Sequence, residues 1–159
     1  MRFSSKTFAA MAGLLALGTV ISLQTAAATA GASAADTVKA RQQVLKSLEA
    51  NMKPLAAIAR GRADADKAVM VKHARNIAAY ARKIEPSFAT DTSKSGVATE
   101  AKASIWSSRA DFNKKAAALV TSSNGLVAAA NSGDVGKFRS SLMAVGQSCK
   151  DCHNTYRSK

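Results

Sequence analysis

The sequence predicts an all-α fold, an antiparallel four-helix bundle. Three observations carry this. Beyond residue 35 the chain is rich in Ala, Leu, Lys and Arg and holds only two prolines, a helical composition. Its apolar residues recur at spacings of three and four, and nothing alternates as a strand would. Two short links and one long one separate four periodic segments.

The chain begins Met1 with basic Arg2 and Lys6, an apolar stretch from Phe8 to Leu23, and small residues ending Ala34-Ala35-Asp36. This pattern predicts a secretory signal peptide over 1–35, removed after Ala34 or Ala35, and hence a periplasmic protein. The apolar run is shorter than the roughly 20 residues of a membrane span and is broken by Gly13 and Gly18. No Arg-Arg pair precedes it, so export of an unfolded chain is expected.

Residues 36–159 suffice for one domain with a real core. The whole chain carries a formal net charge of +13; removing 1–35 takes Arg2 and Lys6 but no acid, leaving +11. Such a surface favours an acidic protein partner or an anionic membrane face, or is simply a solvated basic surface. Nucleic acid is excluded as a partner class by the scarcity of aromatics among the charges and by the export signal.

The first helix is expected over about 36–60, with Val38, Leu45, Leu48, Met52, Leu55 and Ile58 on its inner stripe. Pro54 should kink it or split its last turns, and Gly61 should stop it. A second helix begins at Asp64 or Asp66, carries Met70, His73, Ile77, Tyr80 and Ile84 inward, and ends near Glu85 because Pro86 follows. Residues 87–103 form the long connection. A third helix runs from Ser104 to Ala130, with a weak spot at Ser122-Ser123-Asn124-Gly125. Asp134 caps the fourth, whose stripe is Val135, Phe138, Leu142, Val145, Cys149, Cys152 and Tyr156.

Cys149-Lys150-Asp151-Cys152-His153 is the one run with legible chemistry. Two thiols three apart, with an imidazole directly after, can form thioethers to the two vinyl groups of haem and supply its proximal iron ligand. On a helix turning about 100° per residue the three side chains fall within an arc of about 100°. Three other readings stand beside it. The cysteines can be small buried hydrophobes with an ordinary histidine. A dithiol redox module prefers a helix N-terminus, and here the pair lies near a C-terminus, where the dipole opposes a thiolate. A zinc site needs a fourth ligand, and His73 is the only other histidine.

With Asn154-Thr155-Tyr156-Arg157 after this run, the chain resembles the cytochrome c prime family, the class II c-type cytochromes. Arg41-Gln42, Ala57-Ile58-Ala59-Arg60-Gly61, Thr99-Glu100-Ala101-Lys102, Ile105-Trp106 and Gly133-Asp134 extend the likeness over essentially all of 36–159. The resemblance implies one covalently attached haem c, with Cys149 and Cys152 as thioether anchors, His153 as proximal ligand and Arg157 beside the proximal pocket. It implies that Arg41 lies near the haem propionates, where a guanidinium can bind carboxylate bidentately. It also suggests a homodimer through the first two helices.

Low-spin members of the wider family carry a ligating Met four residues after that arginine, and here the residue is Leu45. A Leu cannot ligate iron, so a five-coordinate, high-spin haem open to nitric oxide (NO) and carbon monoxide (CO) is expected, with single-electron transfer as a further task. The alternative is a low-spin electron carrier using Met52 or His73. Met52 lies about 10.5 Å further along the helix than Leu45, which favours core packing for it. His73 reads as a satisfied or partly exposed histidine, and Trp106 as core. No group looks arranged for acid–base or nucleophilic catalysis, so a binding and electron-transfer protein rather than an enzyme is expected.

Overall fold

The computed structural model describes residues 32–158, so the expected signal peptide lies almost wholly outside the described residues. The described residues form six helices, in the order α1 (Ala34–Ala59), α2 (Lys67–Ala81), α3 (Ile84–Ser87), α4 (Ser104–Ser107), α5 (Arg109–Ser132) and α6 (Val135–Tyr156), with a long non-helical connection between α3 and α4. Among the described residues the only β pairing is an isolated antiparallel bridge between Ala101 and Arg157. No described helix is long and apolar enough to cross a membrane.

The helix ends follow local chemistry. Ser33 accepts the Asp36 N–H to open α1, Asp66 accepts that of Val69 to open α2, and Asp134 accepts that of Lys137 to open α6. Gly61, at φ +67°, closes α1 in a Schellman motif: Arg62 N–H donates to Ala57 O at 2.9 Å and Gly61 N–H to Ile58 O at 3.0 Å. Gly133, at φ +74°, makes the tight turn from α5 to α6.

Three expectations need correction. Pro54 does not split the last turns of α1, which runs as one helix to Ala59 because burial of Leu48, Leu55 and Ile58 holds its inner side. α2 stops at Ala81, and Pro86 sits third in the separate turn α3, where its missing N–H is one of the first-turn donors that lack a helical partner anyway. The third predicted helix is broken at Ser108, at φ −118° and ψ 44°, giving α4 and then α5. Trp106 Nε1 and Arg109 Nη1 both donate to Phe88 O, which pins this corner to the end of α3. The expected weak spot at 122–125 stays helical, because Leu119, Leu126 and Ala130 on either side of it are buried in the core.

α5 packs extensively on α6 and α2, and α2 on α1, while α1 and α6 meet much more sparingly. One core fills the interior, with Leu55, Ile77, Leu126, Phe138 and Val145 fully buried. Along one side Phe88, Phe112 and Tyr156 form an aromatic chain with centroid separations of 5.0 and 5.4 Å. The sparse α1–α6 seam is where the cavity lies.

Candidate haem-binding site

The apolar stripe of α6 ends in Cys149 and Cys152, which pack half-buried against the core. Burial pushes both thiols above their ordinary pKa. His153, one position on, turns toward the mouth of the seam; partial desolvation and then Arg157 hold its imidazole below the usual value, against the pull of Glu100.

All three side chains line one cavity of about 680 Å³ between α1, α5 and α6. Its inner wall is apolar and aromatic, from Phe88, Ile105, Phe112, Leu119 and Tyr156. The opposite wall is α1, which contributes Arg41, Leu45, Glu49 and Met52. Leu45 is 37% exposed, unlike its stripe neighbours Val38 and Leu48, because it faces this cavity rather than the core. Every site residue expected from the sequence, Cys149, Cys152, His153, Arg41, Leu45 and Arg157, therefore comes to one place.

Arg41 is the surprise within that set. It is only 2% exposed and donates from Nε to Ser87 O, from Nη1 to Thr92 Oγ1 and from Nη2 to Thr90 O. Its guanidinium lies 4.2 Å over Phe88 and 5.3 Å from Trp106. Burial lowers its pKa, and nearby Asp91 opposes that shift. The side chain thus clamps the start of the long connection, with two of its five N–H groups uncommitted by these bonds.

At the mouth, Arg157 Nε donates to Glu100 Oε2 at 2.6 Å. The pairing is reinforced by backbone bonds from Ser158 N to Glu100 O and from Lys102 N to Tyr156 O, which strap residues 100–102 across the end of α6. Glu49 on α1 is paired with Lys53 at 3.0 Å; Lys53 first, and Arg157 more weakly, hold its carboxyl below the ordinary pKa. Glu49, Glu100 and Gly146 were missed as site residues by sequence reasoning. Glu49 stands one turn after Leu45 and Gly146 one turn before Cys149, and those spacings were the available signals.

Met52 lines the same cavity. His73 is placed elsewhere, at the α1–α2 seam, where Nδ1 lies 2.9 Å from Asn51 Oδ1, the atom that also accepts from Asn76. Because Asn51 Nδ2 donates to Ser47 O, its oxygen must face His73, so Nδ1 carries the proton. Among the described residues no group of three His, Cys, Asp or Glu side chains is placed to hold a bare metal ion. Two thiols and an imidazole on one helical face, opening onto an apolar cavity of this size, fit a covalently attached haem.

Comparison with known proteins agrees with this geometry. The chain is 37% identical over 121 residues to the cytochrome c′ of Pararhodospirillum photometricum, covering 76% of this chain and 94% of that one. A ferrous arginine-to-lysine variant of the Alcaligenes xylosoxidans cytochrome c′ with bound NO superposes with a TM-score of 0.74 at 29% identity, over 81% of this chain and 98% of the other. A leucine-to-glycine variant of that protein with CO bound superposes with a TM-score of 0.74 at 30% identity, over 80% and 98%. The family model for cytochrome c′ matches residues 36–157, and the chain belongs to that family, whose members carry a covalently attached haem c with iron.

Proposed function

We propose that this protein is a periplasmic monohaem cytochrome that binds NO and CO at a five-coordinate, high-spin iron and passes single electrons. In this reading 1–35 is removed on export and 36–159 forms an antiparallel four-helix bundle around the haem. The observation that carries it is that Leu45, which has no ligating atom, faces the same cavity as Cys149, Cys152 and His153. The NO- and CO-bound Alcaligenes proteins support the choice of ligands.

Bound haem supplies an iron that takes one diatomic ligand and exchanges one electron. The chain's own residues do the rest. Cys149 and Cys152 anchor the group through thioethers, and His153 ligates the iron from α6. Leu45, Leu48 and the aromatic wall exclude water and leave an apolar space that favours small uncharged ligands over anions. Arg41, with two N–H groups to spare, serves a haem propionate while holding the 87–92 segment. Arg157, paired with Glu100, stands beside His153 on the proximal side. The basic surface suits an acidic redox partner, and the family likeness suggests a homodimer through α1 and α2.

A second reading has one observation in its favour: Met52 lines the cavity too. A Met52 thioether on the iron would make a six-coordinate, low-spin electron carrier. The absorption spectrum of the purified, haem-loaded protein separates the two. A broad high-spin Soret band is expected; a sharp low-spin α-band on reduction would favour Met52, and absence of any haem band would leave only a dithiol module.

A further inference from the structure

Gly146 stands in the middle of α6, where glycine weakens a helix relative to alanine because it has more backbone freedom to lose on folding. Two ordinary reasons for such a glycine are absent at this position. Its φ is not positive, and a Cβ built on it meets no atom within 4 Å. What sets it apart is its place. It is three residues before Cys149 and seven before His153, so it shares their helical face, and it lines the same cavity.

Gly125 in α5 is the internal contrast. It too has nothing within 4 Å of an added Cβ, but it is exposed and stands outside the cavity wall. An alanine there should bring only the gain in helix propensity.

We propose that Gly146 is a clearance residue for the prosthetic group: it keeps the α6 backbone bare so that a haem tethered at Cys149 and Cys152 can lie against the helix. The inference rests on the haem reading above. A side chain at 146 competes with the haem for the same space, in proportion to its size, while leaving every contact within the polypeptide intact. The protein therefore accepts a weaker helix in return for a wall that the haem can approach.

The test uses the full chain, produced with haem attachment, as wild type, Gly125→Ala, Gly146→Ala and Gly146→Leu. Intact-mass spectrometry measures the haem-bearing fraction, and absorption spectra and thermal unfolding follow on the haem-loaded proteins. Gly125→Ala is expected to raise the unfolding midpoint by roughly 3 °C at wild-type loading and with an unchanged spectrum. Gly146→Ala is expected to give no such rise and to shift the Soret band, and Gly146→Leu to lower the haem-bearing fraction at least twofold. If Gly146→Ala instead stabilises the loaded protein as much as Gly125→Ala, with an unshifted spectrum, the inference is overturned, whatever the fate of the bulkier variant. A wild-type chain that carries no haem would overturn the underlying reading as well.

Discussion

Arg41 stacks its guanidinium 4.2 Å above the ring of Phe88 while three of its N–H groups hold Ser87, Thr90 and Thr92. Phe88 in turn packs on Phe112, so one arginine on α1 ties the connection after α3 to the aromatic wall of the cavity. Charged hydrogen bonds of this kind contribute about 1.5–3 kcal/mol each and are not additive. Arg41→Met, which keeps the apolar stem, should cost about 3 kcal/mol in urea unfolding of the haem-loaded protein. Arg41→Lys should recover little of that, because one ammonium cannot span three separate acceptors in a planar fork.

The sequence pattern made α6 and its chemistry legible because periodicity and motif coincide there: Phe138, Leu142, Val145 and Tyr156 are buried, and both cysteines sit on the same stripe. Arg41 could be placed near the site only through the family likeness, since nothing in a periodic reading lets an arginine replace an apolar residue on an inner stripe. Its burial depends on acceptors 46 to 51 residues away in sequence. Leu45 looked like core for the converse reason: an apolar side chain facing a cavity has the same spacing as one facing a packed neighbour. The break at Ser108 was invisible because its cause, the donors of Trp106 and Arg109 converging on Phe88 O, is tertiary. Pro54 misled in the opposite direction, since burial of an amphipathic face outweighs one missing helical bond.

That missing bond is itself measurable. Pro54 has no N–H to offer the Ala50 carbonyl, and an interior proline costs a helix about 3 kcal/mol. Proline returns roughly 0.4–1 kcal/mol by restricting the unfolded chain. Pro54→Ala should therefore stabilise the protein by about 2 kcal/mol, seen as a higher urea midpoint with an unchanged slope. A lower midpoint would mean that the ring fills space at this half-buried position that alanine leaves open.

Tyr156 makes stability depend on alkaline pH. Its hydroxyl donates to Asp111 Oδ2 at 2.7 Å, and burial first, then the Asp111 carboxylate, push its pKa up to about 12 from the ordinary 10. A group whose folded pKa is raised contributes stability that is fully present below the unfolded pKa. That contribution is lost as pH climbs through the folded value. The window runs from pH 10 to about 12. Cys149 and Cys152, once thioethers, do not titrate in it. Tyr156→Phe should be less stable than wild type at pH 8 and should lose less on going to pH 11, with thermal midpoints as the readout. Parallel pH curves for the two proteins would show that Tyr156 does not titrate differently in the folded and unfolded chains.

Whether the iron takes a distal ligand from the protein turns on two residues of α1, Leu45 and Met52, that share one cavity wall two helical turns apart. If the iron is open because position 45 carries no donor, Leu45→Met places a thioether there and should convert the broad Soret band to a sharp low-spin spectrum. The same variant should weaken CO binding to the ferrous protein at least tenfold, because the new ligand must first dissociate. Met52→Leu should leave both the spectrum and CO affinity unchanged, since leucine conserves the volume of a packed methionine. Ligation by Met52 predicts the reverse pattern: a low-spin wild type, and a Met52→Leu protein that turns high-spin and binds CO more tightly. The two substitutions, read by absorption and CO titration, therefore have opposite signatures, and a single pair of spectra decides which side chain faces the iron.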